Sequence, residues 1–297
     1  MKSRSGPVLD PKEWITEEHH SASALSFRCR KKLFSGQSPL QKVEIYETQE
    51  HGRVLLNDGC FMLSERDEAI YHEMMTHVPL FTHPDPRRIL IIGGGDGGTA
   101  REVLRHSNVQ RVVMVEIDAM VVEACREHIP QTAQALEDPR LELIIADGVE
   151  FVRHSQESFD VILVDSTDPV GPAQPLFGKE FYADIFSRLS EEGIVVAQGE
   201  SPFYETSMQK TLLEIMGELF PLVRPYNFSN LTYPGGLWSF MFASKGPHPL
   251  KDFAPEKLKS QGLEFFYYNG EIHCSSFALP QFMRQNLGAW IKTGDKS

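Results

Sequence analysis

Between Ile89 and Thr99 the chain reads Ile-Leu-Ile-Ile-Gly-Gly-Gly-Asp-Gly-Gly-Thr, and a helix-like segment, Ala100 to His106, follows. A short apolar β-rich run, a glycine loop and a helix start form the opening unit of a nucleotide-binding α/β fold. Gly93, Gly95 and Gly98 fit the dinucleotide spacing, but Asp96 stands inside the same loop. A carboxylate pointed at a pyrophosphate would repel it, whereas it would attract a cation. The loop therefore predicts a nucleoside ligand without phosphates and with a positive group nearby, such as a sulfonium or an amine. Asp96 can also cap the helix behind it, and the two roles are compatible.

Downstream the pattern alternates. Strands are expected at Arg88–Gly93, Arg111–Ile117, Leu141–Ala146, Phe159–Asp165 and Gly193–Gln198, with helices near 99–106, 119–128, 148–154, 179–190 and 206–219. Such alternation gives a parallel sheet with helices on both faces, and ligands bind beyond the carboxyl ends of its strands. What stands there is acidic or amide: Asp96, Glu116 with Asp118, Asp147-Gly148, Asp165 to Asp168, and Gln198-Gly199-Glu200. Leu222–Phe228 and Leu237–Ala243 read as further strands, Phe265–Tyr268 as a strand-like run, and a helix closes the chain near Pro280–Leu287.

Ahead of this unit the chain looks different. The first ten residues read as a flexible end, and residues up to about 22 are polar, with Trp14 and His19-His20 as their notable features. From Leu25 strands are expected, with Lys42–Thr48 alternating and Asn57-Asp58-Gly59 marking a hairpin. Ser64-Glu65-Arg66-Asp67 resembles a capping box for a helix running to about His77 and ended with the help of Pro79. Tyr71 and His72 lie within that helix, and Pro84 to Pro86 marks a boundary. The division expected is 1–83 for a small antiparallel β unit with its linking helix and 84–297 for the α/β unit.

The net charge is −12, from 29 basic and 41 acidic residues, which argues against a nucleic-acid binder and suits cationic substrates. The four cysteines form no CxxC, no metal-ligand spacing appears, and reduced thiols in the cytoplasm are the plain reading. No signal peptide and no apolar run long enough for a membrane are seen.

At the strand ends, Glu116 is suited to the ribose hydroxyls and Asp147 to an adenine amino group. Asp165 and Asp168 form a second acidic site, followed by a Pro- and Gly-rich loop that could close over it. Two carboxylates can hold the ammonium ends of a diamine, or one can hold while the other takes a proton.

Gly93-Gly94-Gly95-Asp96-Gly97-Gly98, Val115-Glu116-Ile117-Asp118, Asp147-Gly148, Asp165 to Pro172, Gln198-Gly-Glu and Thr232-Tyr-Pro-Gly-Gly, together with Gln41, Ser64 to Glu68 and Tyr71-His72-Glu73, resemble the polyamine aminopropyltransferases. The resemblance spans roughly 25–290. It implies a Rossmann-like, mostly parallel seven-stranded sheet of the class I methyltransferase type, a small N-terminal antiparallel β domain, and homodimers or homotetramers. It implies transfer of an aminopropyl group from decarboxylated S-adenosylmethionine to putrescine, giving spermidine and 5′-methylthioadenosine, with no cofactor and no metal. Asp165 is then the proton acceptor. Asp168 holds the diamine, and Tyr71, His72 and Tyr233 shape its channel. Asp96 holds the aminopropyl amine, Glu116 the ribose, and Asp147 with Gly148 the adenine, while Gln41 and Pro172 line the nucleoside pocket. Met62 stands where many relatives carry Gln, and no role is given to it. Rival readings are another acceptor (cadaverine, agmatine or spermidine), a methyltransferase using intact S-adenosylmethionine, a nicotinamide dehydrogenase, which Asp96 disfavours, and a non-catalytic relative.

Overall fold

The run Ile89 to Ile92 explains why the chain needs helices on two sides. Ile89 and Ile91 face one apolar cluster, Leu90 and Ile92 another, and all four are buried. A strand whose residues are apolar at every position must be covered on both faces. The computed structural model describes residues 9–19, 21–167 and 176–294.

In chain order the elements are β1 (Trp14–His19), β2 (Ser23–Gln37), β3 (Lys42–Thr48), β4 (Arg53–Asn57), β5 (Cys60–Ser64), α1 (Glu68–Thr82), β6 (Arg88–Gly93), α2 (Gly98–Leu104), β7 (Arg111–Glu116), α3 (Ala119–His128) and α4 (Pro130–Ala133). Then follow β8 (Leu141–Ile145), α5 (Gly148–His154), β9 (Phe159–Asp165), α6 (Lys179–Arg188), β10 (Leu189–Gln198), α7 (Thr206–Leu219), β11 (Leu222–Ser229), β12 (Leu237–Ser244), α8 (Pro255–Ser260), α9 (Gly270–Ser276), α10 (Gln281–Leu287) and the two-residue β13 (Lys292–Thr293). The first five strands form one antiparallel sheet in sequence order. The second sheet has the order β13-β11-β12-β10-β9-β6-β7-β8. The strands β10, β9, β6, β7 and β8 are parallel, and β12 runs antiparallel to its two neighbours, β10 and β11. This is the Rossmann-like arrangement, seven main strands with β13 added at one edge. The order reverses between β6 and β9, and that reversal opens the crevice where such sheets bind ligands.

Four local expectations change. The polar stretch before residue 22 contains β1, whose Ile15 packs with Phe27, Val54, Leu56 and Phe61 in a small core of its own. Pro79 does not end α1, which runs to Thr82 with the proline inside it. The ring sits in the last turn of a helix buried on nearly every side, so packing outweighs one missing amide bond. Ser64 to Asp67 is not a capping box. Asp67 makes no cap bond, and its carboxylate instead receives the Ser64 and Thr232 hydroxyls and the Leu231 and Thr232 amides. Residues 265–268 are not a strand. Their amides from Phe266 to Tyr268 donate at 2.7–2.8 Å to Glu73 on α1, an acceptor no ladder offered them.

Candidate active site

Gly93 ends β6 directly beside Asp165 at the end of β9. Its φ is +84°, and a Cβ there would lie 2.0 Å from the Asp165 carbonyl oxygen, so only glycine fits. The Gly94 amide donates to that same oxygen at 3.0 Å. The glycine loop and the Asp165 strand end are thereby fixed to each other across the reversal point.

A cavity of about 450 Å³ opens above them. It brings together Gln41, Tyr71, His72, Asp96, Glu116, Asp147, Gly148, Asp165 and Tyr233, from elements spread over both sheets. The other two expected residues, Asp168 and Pro172, lie outside the described residues.

At one end, Glu116 is buried and its two oxygens receive the Gly95 amide at 3.1 Å and the Asp118 amide at 2.8 Å. Burial raises its pKa to about 7 in spite of those bonds. Asp147 caps α5, its Oδ1 accepting the Val149 and Glu150 amides. The Gln41 amide donates to Asp118 at 3.1 Å, and the Ser38 hydroxyl donates to the same carboxylate at 2.7 Å. Asp118, which also caps α3, thus ties the first sheet to the Glu116 end of the cavity.

At the other end, Asp165 is held by two donors. The Tyr71 hydroxyl reaches its Oδ1 at 2.8 Å and the Thr99 hydroxyl its Oδ2 at 2.6 Å. Burial keeps the Tyr71 phenol well above its ordinary pKa, so it remains a donor. Tyr233 stands edge-on to Tyr71, centroids 5.8 Å apart, and donates to the Met62 carbonyl at 2.8 Å. Met62 thus enters the site wall through its backbone, a role its side chain could not announce.

Asp96 lies between the two ends. Its Oδ1 accepts the Gly98 amide at 2.8 Å and faces His72 Nε2 at 3.4 Å. The expected capping role falls to Gly97, which precedes α2 without any side-chain cap bond, and Asp96 instead closes a local turn through the Gly98 amide while bordering the cavity. Burial raises Asp96 to about 6, with His72 opposing that shift and Asp165 adding to it.

Sequence reasoning missed Thr99, Glu68 and Arg101. Thr99 closes the glycine loop and could have been flagged as its hydroxyl. Glu68 and His72 are spaced i, i+4 on α1, the spacing of helical neighbours. Glu200 also gained no role from its strand-end position, yet it is buried, carries a φ of +62° and accepts the Gln198 amide at 2.8 Å. Strained backbone of this kind clusters at functional sites. Among the described residues no group of three or more His, Cys, Asp or Glu is arranged to hold a metal ion.

A cavity stands at the reversal point of a doubly wound sheet, and its wall is rich in carboxylates. The sequence model described as spermine/spermidine synthase domain matches residues 68–253, and that described as spermidine synthase tetramerisation domain matches 13–65. The polyamine aminopropyltransferase of Thermotoga petrophila is 46% identical over 284 residues, covering 94% of this chain and 96% of its own. That of Clostridium perfringens (strain ATCC 13124) is 45% identical over 276 residues, covering 92% and 97%. Among solved structures, a spermidine synthase in complex with the transition state analogue AdoDATO superposes with a TM-score of 0.91 at 44% identity, covering 93% of this chain and 95% of that one. Spermidine synthase from Thermotoga maritima gives a TM-score of 0.89, also at 44% identity, covering 93% and 94%. The chain belongs to the spermine/spermidine synthase family, the polyamine aminopropyltransferases. It is a transferase of that class, and its first sheet is an oligomerisation domain.

Proposed function

We propose that this protein is a spermidine synthase, moving the aminopropyl group of decarboxylated S-adenosylmethionine to putrescine. One observation carries the reading. Among the described residues the cavity is lined by Glu17, Asp58, Asp96, Glu116, Asp147 and Asp165 and by no lysine or arginine. Such a wall repels phosphates and carboxylates and favours a sulfonium donor and an ammonium acceptor.

In this reading Glu116 takes the ribose hydroxyls, Asp147 and Gly148 meet the adenine, and Gln41 and Pro172 complete that pocket. Asp96 holds the amine of the aminopropyl arm. Asp168, with Tyr71, His72 and Tyr233, holds and frames the diamine. Asp165 takes a proton from the attacking ammonium, because nitrogen needs its lone pair to form the new bond. That lone pair attacks the carbon beside sulfur, the carbon–sulfur bond breaks with its electrons going to sulfur, and neutral 5′-methylthioadenosine leaves. Tyr71 and Thr99 fix the plane of the Asp165 carboxylate throughout. No cofactor or metal is needed, since a sulfonium is already a good leaving group. Residues 1–83 assemble dimers or tetramers, residues 84–297 carry the chemistry, and the cytoplasm is the compartment proposed.

The test is an acceptor panel of putrescine, cadaverine, agmatine and spermidine with the decarboxylated donor, following methylthioadenosine release. Putrescine should give the highest kcat/KM, and another acceptor ranking first would reassign the substrate. Calorimetry should show tight binding of the decarboxylated donor and weak binding of intact S-adenosylmethionine, because Asp96 repels the extra carboxylate. Equal affinities would favour a methyltransferase. Asp165→Asn should slow turnover by about two to four decades with donor binding retained, in line with loss of a general base.

A further inference from the structure

Both ring nitrogens of His72 face carboxylates. Nδ1 lies 2.6 Å from Glu68 Oε2, and Nε2 lies 3.4 Å from Asp96 Oδ1. Glu68 is itself gripped by a two-pronged contact, Arg101 Nη1 to Oε1 at 2.8 Å and Nη2 to Oε2 at 2.9 Å. A carboxylate so engaged is ionised, so it accepts from Nδ1 and cannot donate to it. Asp96 Oδ1 already accepts the Gly98 amide. A bare Nε2 lone pair aimed at it would be repulsive, so a proton sits between ring and carboxylate. Gly98 keeps this arrangement possible, since a Cβ there would fall 2.1 Å from the imidazole Cε1.

We propose that Glu68, braced by Arg101, is a positioning residue of the cation site: it holds His72 as a doubly protonated ring against Asp96, and an ammonium arriving at Asp96 displaces the Nε2 proton to solvent. This rests on the reading of Asp96 as the anchor of the aminopropyl amine. The exchange balances. One ammonium enters, one proton leaves, and the charge of the cluster is unchanged. The freed Nε2 lone pair then accepts a hydrogen bond from the ammonium it has admitted. The groups facing the ring are Glu68 and Tyr71 on α1, Asp96 in the glycine loop and Asp165 at the end of β9, with Arg101 of α2 acting through Glu68. Burial alone would lower His72, but Asp96 and Glu68 overcome it and raise the ring to about 9. Near neutral pH there is therefore a proton to displace.

The exchange is measured by titrating decarboxylated S-adenosylmethionine, without acceptor, into the full-length protein at pH 8 in two buffers of different ionisation enthalpy. Wild type should release close to one proton per donor bound, since a group with a pKa near 9 is mostly protonated there. His72→Gln should bind the donor with no release, and Glu68→Gln should release less. In ligand-free wild type, nitrogen-15 spectra should show His72 protonated at both nitrogens at pH 8, a signature a purely structural Glu68 would not produce. A singly protonated His72 in that spectrum, or the same proton release from His72→Gln, overturns the proposal. A donor that fails to bind refutes the aminopropyl reading instead, while the spectrum still decides the state of His72.

Discussion

His72 and His77 stand on the same helix, five residues apart, and each is buried against a carboxylate that Arg101 also touches. They end in opposite states. His72 is held between Glu68 and Asp96 and is raised to about 9. His77 lies 3.0 Å from Glu102 and 2.9 Å from His106, and burial lowers both rings, His106 well below its usual value. The carboxylate beside His77 is already claimed, because Glu102 also pairs with Arg101 and Arg105. Its spare negative charge is too small to offset desolvation of an imidazolium. The His77 cluster is a closed polar network inside the core, whereas the His72 cluster borders the cavity and has a second carboxylate, Asp96, facing the ring. The count of opposing charges, rather than depth in the protein, separates a packed histidine from a working one.

The strongest way to break this contrast is Glu102→Gln. It leaves two arginines without their shared partner, and losing one side of a buried pair costs about 3–5 kcal/mol. Denaturant unfolding should show that loss, with donor affinity in the surviving folded protein near wild type. A variant that unfolds normally but binds donor poorly would mean the two clusters are one. Asp96→Asn should act the other way. Donor affinity should fall roughly tenfold to a hundredfold, the range for a lost charged hydrogen bond, and His72 should titrate at a lower pH while His77 stays put. Gly98→Ala should cost about 1–3 kcal/mol, as overpacking does, and should weaken donor binding by moving the His72 ring. His77 should not notice.

The remaining contrast is in pH. A raised His72 contributes stability that is complete below 6.5, the unperturbed value, and is lost as pH climbs through about 9. A lowered His77 does the reverse. It contributes nothing unfavourable above 6.5 and destabilises as pH falls below that value, where the unfolded chain binds the proton more readily. Thermal melts of wild type and His72→Gln should differ in slope between pH 6.5 and about 9.

Much of the catalytic sheet was legible because its signals are local. The apolar run before Gly93, the acids after each strand, and Asp58-Gly59, whose φ values of 48° and 85° make the expected hairpin, depend on near neighbours alone. Gathering Asp96, Glu116, Asp147 and Asp165 needed only the rule that parallel strands end on one side. What stayed hidden was tertiary. Nothing near Asp67 in sequence says that its partners are Leu231 and Thr232, and the capping reading was the reasonable local one. The Phe265–Tyr268 run has strand composition, but its amides found Glu73 instead of a ladder. Thr99 and Glu68 were adjacent to recognised motifs, yet their partners, Asp165 and Arg101, lie elsewhere in the chain.

Glu73 follows His72 directly on α1, and its three amide donors all come from Phe266 to Tyr268. The helix that carries Tyr71 and His72 into the cavity is thus fastened by a segment far beyond the last long strand. Trimming the protein at Ser244, the end of the last long strand, would strip those donors from a buried anion next to His72. The shortest competent version must therefore extend past Tyr268, and anyone engineering this scaffold should treat that aromatic stretch as the brace of the helix that carries Tyr71 and His72 into the cavity.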